Sequence, residues 1–292
     1  MSSESPRTPR PVRRLGLVMA AAAFISASGL IGIGAAAHAS TSPSGSVRVL
    51  SAGSLTNIMT LLSGKFKADT GYTLQDMAEG SSAIASGIVS KTLQGDVFIS
   101  ASPSADVAIE GSKNGDWING YHLFGSSPDV LAYYPKSKFA VALRSRPWFD
   151  VVSQSGFELG RTDPAVDPSG ILDLDALYGI GYGYDIPSLL AVAHRSGNVY
   201  PETAIPGLLQ AGQLDGGFMY AISAHAAKLP FVTLTGTKNL SAHFTVAALK
   251  GAPDPAPARA FVKWLLGPSG RAVMRHQGLL PLIPARFVPS TG

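Results

Sequence analysis

The chain has 292 residues, of which 46% are hydrophobic and 14% are charged, with 32 Gly, 21 Pro and no Cys. This composition argues against a disordered chain, a collagen-like repeat and a coiled coil, and the lack of cysteine excludes disulfides, thiolate metal sites and cysteine nucleophiles. The formal net charge of +4 is too small to indicate a nucleic-acid surface, so no nucleic-acid partner is expected.

The first predicted element is an export signal. Four arginines within Arg7–Arg14 precede an apolar run, Leu15–Ala37, that leads into small residues. This order of basic, apolar and small-residue regions is typical of a secretory signal peptide, although the run is also long enough for an uncleaved membrane anchor. We predict a signal peptide over residues 1–39 and a disordered stretch over residues 40–46. The protein is then periplasmic or secreted, by the general or the twin-arginine route.

Strands and helices alternate in the hydrophobic pattern from residue 47 onward. The first five predicted elements are a strand at Val47–Leu50, a helix whose apolar face runs over Leu55–Phe66, a strand over residues 72–77, a helix over Ala83–Val89 and a buried strand at Asp96–Ser100. This order predicts an α/β fold with a parallel sheet. Ser54 stands where the N-cap of the first helix is expected.

The second half of the chain continues the mixture of strands and helices. Its predicted elements are strands at Val130–Tyr134, Gly217–Tyr220 and Phe244–Leu249, and helices at about Pro201–Ala211, Ala258–Leu266 and Pro268–Met274. Tyrosine and glycine alternate over Tyr178–Tyr184. Because glycine weakens strands, we predict a flexible loop or a poor edge strand there, with a ligand-gripping loop as the alternative.

Three turns place small polar residues between a strand or turn and the following helix. They are Gly53-Ser54, Gly80-Ser81-Ser82 and Pro168-Ser169-Gly170. Helix N-termini at the carboxyl ends of strands attract anions, because their backbone N–H groups are free and the helix dipole is positive there. The turns therefore indicate an anion site without lysine or arginine. The alternative is that these serines are ordinary helix caps.

Motifs along nearly all of the mature chain resemble the periplasmic molybdate/tungstate-binding proteins of ABC importers. The residues that carry the resemblance are Ala52–Asn57, Glu79–Ser81, Gly95–Ala101, Val130–Tyr133, Asp163-Pro164, Asp167–Gly170, Ala258–Gly270 and Pro281–Pro284. The Gly-Ser-Leu-Thr-Asn turn at residues 53–57 is more specific to oxyanion binders than the C-terminal helix is. The C-terminal helix is common to solute-binding proteins in general.

The resemblance implies a two-lobed periplasmic solute-binding fold of type II. Each lobe would be a mixed sheet flanked by helices, with two crossovers between the lobes. Lobe I would comprise residues 47–122 and 240–292, and lobe II residues 123–239. The implied protein is a monomer that captures molybdate or tungstate between its lobes, delivers it to a membrane permease, and needs no cofactor.

The resemblance also implies a set of ligand-binding residues. They are the hydroxyls of Ser54 and Ser81, the backbone N–H of Ser169, a contact near Glu202 or Thr203, and Tyr220. One branch of the family adds two carboxylates that bring the metal of the anion to six-coordination. Asp167 matches the first and Met219 stands at the second, so a tetrahedral anion is expected. Asp167 is equally compatible with a helix cap.

Other functions remain open at this stage. Sulfate or phosphate would suit the same turns, and a secreted hydrolase is the alternative from another class. The sequence contains no G-x-S-x-G, H-E-x-x-H or G-x-x-x-x-G-K-[ST] motif, and its mature histidines are isolated without metal-ligand spacing. We therefore predict neither catalytic residues nor a metal site.

Overall fold

The computed structural model of the protein describes residues 45–238 and 240–291. The predicted signal peptide, residues 1–39, and most of the stretch predicted to be disordered, residues 40–46, lie outside these ranges. Among the described residues, no helix is long and apolar enough to cross a bilayer.

Strands and helices alternate over residues 46–133 as the hydrophobic pattern predicts, and several helices follow one another in the rest of the described chain. The strands are β1 (Ser46–Ala52), β2 (Thr73–Glu79), β3 (Val97–Ser100), β4 (Gly120–Tyr133), β5 (Leu159–Gly160), β6 (Gly216–Tyr220), β7 (Phe231–Thr233), β8 (Ser241–Ala248) and β9 (Leu280–Pro289). The helices are α1 (Thr56–Thr70), α2 (Ser81–Val89), α3 (Pro103–Val107), α4 (Ala140–Ser145), α5 (Trp148–Val152), α6 (Pro168–Gly183), α7 (Pro187–His194), α8 (Ile205–Gln210), α9 (Ala221–Ala226), α10 (Pro255–Leu265) and α11 (Pro268–His276).

The first sheet is parallel on one side and antiparallel on the other. β1 pairs in parallel with β2 and β3, which confirms the parallel sheet predicted from the first five elements. β3 then pairs antiparallel with β8, and β8 pairs antiparallel with the first half of β4. The sheet is therefore mixed, as the family resemblance implies.

One long strand is shared by two sheets. β4 pairs with β8 and β9 through Gly120–Pro128, with a register irregularity between Leu123 and Gly125. Its remaining residues, Asp129–Tyr133, pair antiparallel with β6, and β5 joins β6 in parallel. The strand predicted at Val130–Tyr134 is thus the end of a much longer one. No observation tests the lobe boundaries at residues 122–123 and 239–240, which stay a prediction.

Each sheet carries its own apolar core. On the first sheet, the face of α1 that ends at Phe66 packs against α10, and the rings of Phe66 and Phe261 meet edge to face at 5.2 Å. On the second sheet, Trp148 and Phe218 meet in the same way at 5.6 Å. Burial of apolar surface and edge-to-face ring pairs both stabilise these cores.

The segment Tyr178–Tyr184 is helical almost throughout, so the prediction of a loop or edge strand is wrong. It forms the last two turns of α6, where Leu177 and Ile180 are buried. A Cβ on Gly181 would lie 2.4 Å from Leu190 Cδ2 of α7, so glycine allows the two helices to pack closely. This packing outweighs the weak helix propensity of glycine.

Candidate functional site

Two of the three Gly/Ser turns meet across the space between the sheets. The backbone N–H of Ala83, in the first turn of α2, donates to the carbonyl of Val166, in the loop before α6, at 3.0 Å. A Cβ on Gly80 would lie 2.3 Å from the same carbonyl oxygen. The close approach of the two segments therefore requires glycine at position 80.

A cavity of about 310 Å³ opens at this contact. Its lining residues are Glu79, Gly80, Ala83, Thr162, Asp163, Val166, Asp167, Val199, Tyr200, Pro201, Glu202 and Thr203. The volume is roughly ten times the share of one liquid water, so a small anion fits. A larger depression of about 600 Å³ lies beside Tyr178 and Tyr182 and contains none of the predicted site residues.

Ser54 is buried beside this cavity but does not cap a helix, so the predicted N-cap role is wrong. It lies in a 3₁₀ turn, Gly53–Leu55, between β1 and α1, and Leu55 takes the N-cap position of α1 without a side-chain bond. The Ser54 carbonyl accepts a hydrogen bond from the Ser223 hydroxyl at 3.0 Å. Its own Oγ is buried without a protein partner. A buried hydroxyl of this kind suits a ligand contact.

Ser81 begins α2 and is also buried. Its Oγ accepts a hydrogen bond from the backbone N–H of Ala101 at 3.1 Å, which fixes the hydroxyl and leaves its proton to donate. Gly80 is the N-cap of α2, and no side chain caps this helix.

Asp167 caps α6, as one of its two predicted roles requires. Its Oδ1 accepts a hydrogen bond from the backbone N–H of Ser169 at 2.9 Å. The N–H predicted to bind the anion is therefore engaged by a carboxylate in this conformation. The Ser169 hydroxyl lies 3.1 Å from the hydroxyl of Thr162, a cavity residue that sequence analysis missed.

Glu202 and Thr203 lie in the turn before α8, which begins later than the predicted helix at Pro201. Thr203 is exposed on the cavity wall, whereas the Glu202 side chain is buried. A Cβ on Gly53 would lie 2.8 Å from Glu202 Oε2, so the carboxyl rests against the Ser54 turn. Glu202 and Asp167 both line the cavity.

Tyr220 ends β6 and is fully buried, with its hydroxyl lacking a protein partner. Its ring meets Phe244 edge to face at 6.0 Å. Because side chains alternate along a strand, the neighbouring Met219 lies on the opposite face, in an apolar cluster with Val130 and Leu209. Met219 therefore does not face the site.

Two further buried carboxyls, Asp129 of β4 and Asp173 of α6, lie near these residues and were not identified from the sequence. Asp173 Oδ2 accepts a hydrogen bond from the backbone N–H of Thr162 at 2.9 Å, and both Asp129 carboxyl oxygens are buried without partners. The signal that could have identified Asp173 is its position among the apolar residues of α6.

Burial raises the pKa of all the carboxyls in this group. It raises the pKa of Asp173 to about 8, with the nearby Asp167 adding to the effect. Burial and then Asp167 raise the pKa of Glu202, and burial and then Asp173 raise that of Asp129. Burial and the neighbouring Glu202 also raise the pKa of the Tyr220 hydroxyl, so it remains a hydrogen-bond donor.

Positive charge does little to balance this acidic group. The positive charge of Arg161 lowers the pKa of Asp173. The Arg161 guanidinium donates its hydrogen bonds, however, to the backbone carbonyls of Thr162 and Ala193. Within residues 45–238 and 240–291, no three His, Asp or Glu side chains are grouped so as to hold a metal ion. What the site offers is hydroxyls, backbone N–H groups and buried carboxyls that favour their protonated form.

Comparison with known proteins identifies similar solute-binding proteins. The family described as bacterial extracellular solute-binding protein matches residues 47–280. A Haloferax volcanii protein described as an ABC transporter molybdenum-binding protein is 30% identical over 228 residues, 78% of this chain and 68% of its own length. The molybdate/tungstate-binding protein WtpA of Thermococcus kodakarensis is 24% identical over 213 residues, 55% of this chain and 60% of its own.

Among solved structures, the fold is similar to the periplasmic molybdate-binding protein of Azotobacter vinelandii. The TM-score is 0.65 at 18% identity, over 80% of this chain and 98% of that protein. This similarity of fold shows that the chain has the two-lobed architecture of periplasmic binding proteins.

Proposed function

Because this chain belongs to the family of bacterial extracellular solute-binding proteins, we propose that it captures a tetrahedral oxyanion, molybdate or tungstate, in the cavity between its sheets. The proposal includes delivery of the anion to an ABC permease. It also includes export by the N-terminal signal peptide, action as a monomer in the periplasm or outside the cell, and no catalysis.

One observation carries the proposal of an anion site. The hydroxyls of Ser54 and Tyr220 are both buried without protein partners. Buried polar groups are almost always hydrogen-bonded, so such hydroxyls are expected to donate to a bound ligand. An oxyanion accepts several hydrogen bonds at once without supplying any.

The names of relatives support the choice of anion. Two relatives are named for molybdenum or for molybdate and tungstate. Ser54, Ser81 and Tyr220 are the proposed hydroxyl donors. Ser169, Thr203, Glu202 and Asp167 complete the proposed contacts.

The test is thermal unfolding of the purified protein with molybdate, tungstate, sulfate and phosphate in separate samples. A ligand at about one hundred times its dissociation constant raises the unfolding free energy by about 2.7 kcal/mol, because it binds only the folded state. We expect molybdate or tungstate to give the largest shift. If none of the four anions stabilises the protein, the proposal is wrong.

A paired substitution tests the residue assignment. Ser54→Ala removes the unpartnered hydroxyl, and we expect it to weaken molybdate binding by about tenfold, the value of one lost hydrogen bond to a charged group. Ser145→Ala removes an exposed hydroxyl at the end of α4 and serves as the control. Equal affinities in the two variants would exclude Ser54 from the site.

A further inference from the structure

A buried hydrogen bond joins the segment after β6 to the turn after β1. The Ser223 hydroxyl, in the first turn of α9, donates to the backbone carbonyl of Ser54 at 3.0 Å. Ser54 follows a strand of the first sheet, whereas Ser223 follows a strand of the second. Each residue has only 5% of its surface exposed, so water competes little for this bond. The bond therefore connects the two sheets between which the proposed anion site lies.

The Ser223 end of this bond is fixed to the second sheet. β6 runs into α9 without a loop, because Tyr220 is both the last residue of β6 and the N-cap of α9. Tyr220 lies opposite Asp129 in the pairing of β6 with β4. The backbone N–H of Ile222 donates to the buried hydroxyl of Ser127, in β4, at 3.0 Å. Tyr220 and Ser223 are therefore attached to β4 as one unit.

The Ser54 end has weaker local support. Ser54 lies in the 3₁₀ turn Gly53–Leu55, which no side chain caps, and such short turns have poor hydrogen-bond geometry. The backbone N–H and the hydroxyl of Thr56 both donate to the Gly53 carbonyl, so these local bonds do not hold Ser54 itself. The Ser54 hydroxyl has no protein partner, and its position depends on the backbone that carries it.

We propose that Ser223 is a positioning residue of the anion site, whose bond to the Ser54 carbonyl places the Ser54 hydroxyl relative to the Tyr220 hydroxyl. The two hydroxyls are carried by the two segments that this bond connects, because Tyr220 is three residues before Ser223 on the same unit. The inference rests on the proposed function, in which both hydroxyls donate to one bound oxyanion.

Ser223 acts through Ser54 and not on the anion. A serine hydroxyl carries one proton, and the proton of Ser223 is donated to the Ser54 carbonyl, so none is left for an oxyanion. What the bond supplies is preorganisation, which raises affinity because less conformational freedom is lost on binding. A hydrogen bond between neutral groups changes an affinity by about fivefold when all of its effect reaches the site.

A double-mutant cycle tests this role, because the effects of residues that act through one another are not additive. Molybdate binding is measured by calorimetry for the wild type, Ser54→Ala, Ser223→Ala and the double variant. We expect Ser223→Ala to weaken binding about fivefold when Ser54 is present, and to have no further effect when Ser54 is already alanine. A merely structural role would lower the unfolding free energy and leave the affinity at the wild-type value.

A second pair of variants isolates the hydroxyl at nearly constant shape. Ser223→Thr keeps the donor, whereas Ser223→Val has a methyl group in its place. Both variants introduce a β-branched side chain into α9, so changes in packing are common to the two. We expect Ser223→Thr to bind molybdate about fivefold more tightly than Ser223→Val. Should Ser223→Ala fail to fold, this comparison decides.

Ser145→Ala removes an exposed hydroxyl that donates to a carbonyl within α4, and it is expected to bind molybdate as the wild type does. Three results would overturn the inference while leaving the proposed function intact. They are wild-type affinity in Ser223→Ala, losses that multiply in the double variant, and equal affinities of the threonine and valine variants. Absence of binding of molybdate, tungstate, sulfate and phosphate to the wild type would overturn the proposed function, and this inference with it.

Discussion

Single residues decide how closely the two halves of the site approach each other. Gly80 has an ordinary helix-entry φ of −56°, so it is not required for backbone conformation. It is required because any Cβ would strike the Val166 carbonyl. Glycine at this position therefore serves the contact between the two halves rather than the fold of either one.

This contact predicts that Gly80→Ala weakens anion binding. The added methyl prevents the hydrogen bond between Ala83 and Val166, so we expect molybdate affinity to fall by about tenfold or more. The unfolding free energy is expected to fall by about 1–2 kcal/mol as well, because alanine is a poorer N-cap than glycine and the hydrogen bond between Ala83 and Val166 is lost.

The matched control is Gly64→Ala, because Gly64 lies in α1 with no heavy atom within 4 Å of its built Cβ. It is expected to keep full affinity and to gain up to about 1 kcal/mol of stability from helix propensity. Wild-type affinity in Gly80→Ala would show that the close approach is not needed for capture.

Helix α6 shows which part of an element can be predicted from the sequence and which part cannot. The start of α6 could be predicted from the sequence, because Asp167-Pro168-Ser169 combines a cap with proline in the first turn. The last two turns of α6 could not be predicted, because Gly179, Gly181 and Gly183 lower helix propensity. Their helical state depends on packing against α7, as at Gly181 and Leu190. No local signal in the sequence reveals this packing.

The same reasoning explains what was missed in the site. Ser54 and Ser81 follow strands in recognisable turns, so their meeting at one edge was predictable. Asp129 and Glu202 carry no local signal, because each becomes a site residue only through a neighbour on another element. Glu202 was expected only from the family resemblance, and only the folded chain brings its carboxyl against the Ser54 turn.

The helical state of the Tyr178–Tyr184 segment can be measured directly. Gly179→Ala adds a methyl at an exposed helix position with no heavy atom within 4 Å, so we expect the unfolding free energy to rise by about 0.5–1 kcal/mol. Denaturant titration gives this value.

Gly181→Ala, in the same helix, is the comparison variant. Its methyl would meet Leu190, so the variant is expected to lose stability despite the same change in propensity. No gain from Gly179→Ala would contradict a helix in this segment.

The whole molecule buries several carboxyls away from water, and some lie outside the site. Asp106 of α3 accepts a hydrogen bond from the Thr245 hydroxyl of β8, and burial raises the pKa of Asp106 to about 8. An unfolded aspartate has a pKa near 3.9. The folded state therefore holds a proton that the unfolded state releases between these pH values.

This difference predicts that the protein becomes less stable as pH rises from about 5 to about 8. Stability from a raised carboxyl pKa is fully present below the unfolded pKa and is lost as pH passes the folded one. Each such group contributes at most about 1.4 kcal/mol per pH unit. Urea unfolding at several pH values measures the slope.

Asp106→Asn is expected to reduce that slope, because the amide keeps the shape but has no proton to release. Asp185→Asn, at an exposed residue with a φ of 52° that asparagine also adopts, is the control and should leave the slope unchanged. A slope equal in wild type and Asp106→Asn would assign the effect to other groups.

The shared strand β4 has a consequence for how this chain tolerates insertions and deletions over evolutionary time. Side chains along a strand alternate between faces, so gaining or losing one residue in its middle reverses the inward and outward faces of everything beyond. In β4 that reversal would turn the residues of one sheet away from their core while those of the other stayed in place. We therefore expect length variation among descendants of this sequence to accumulate in surface loops and to spare the segment from Gly120 to Tyr133.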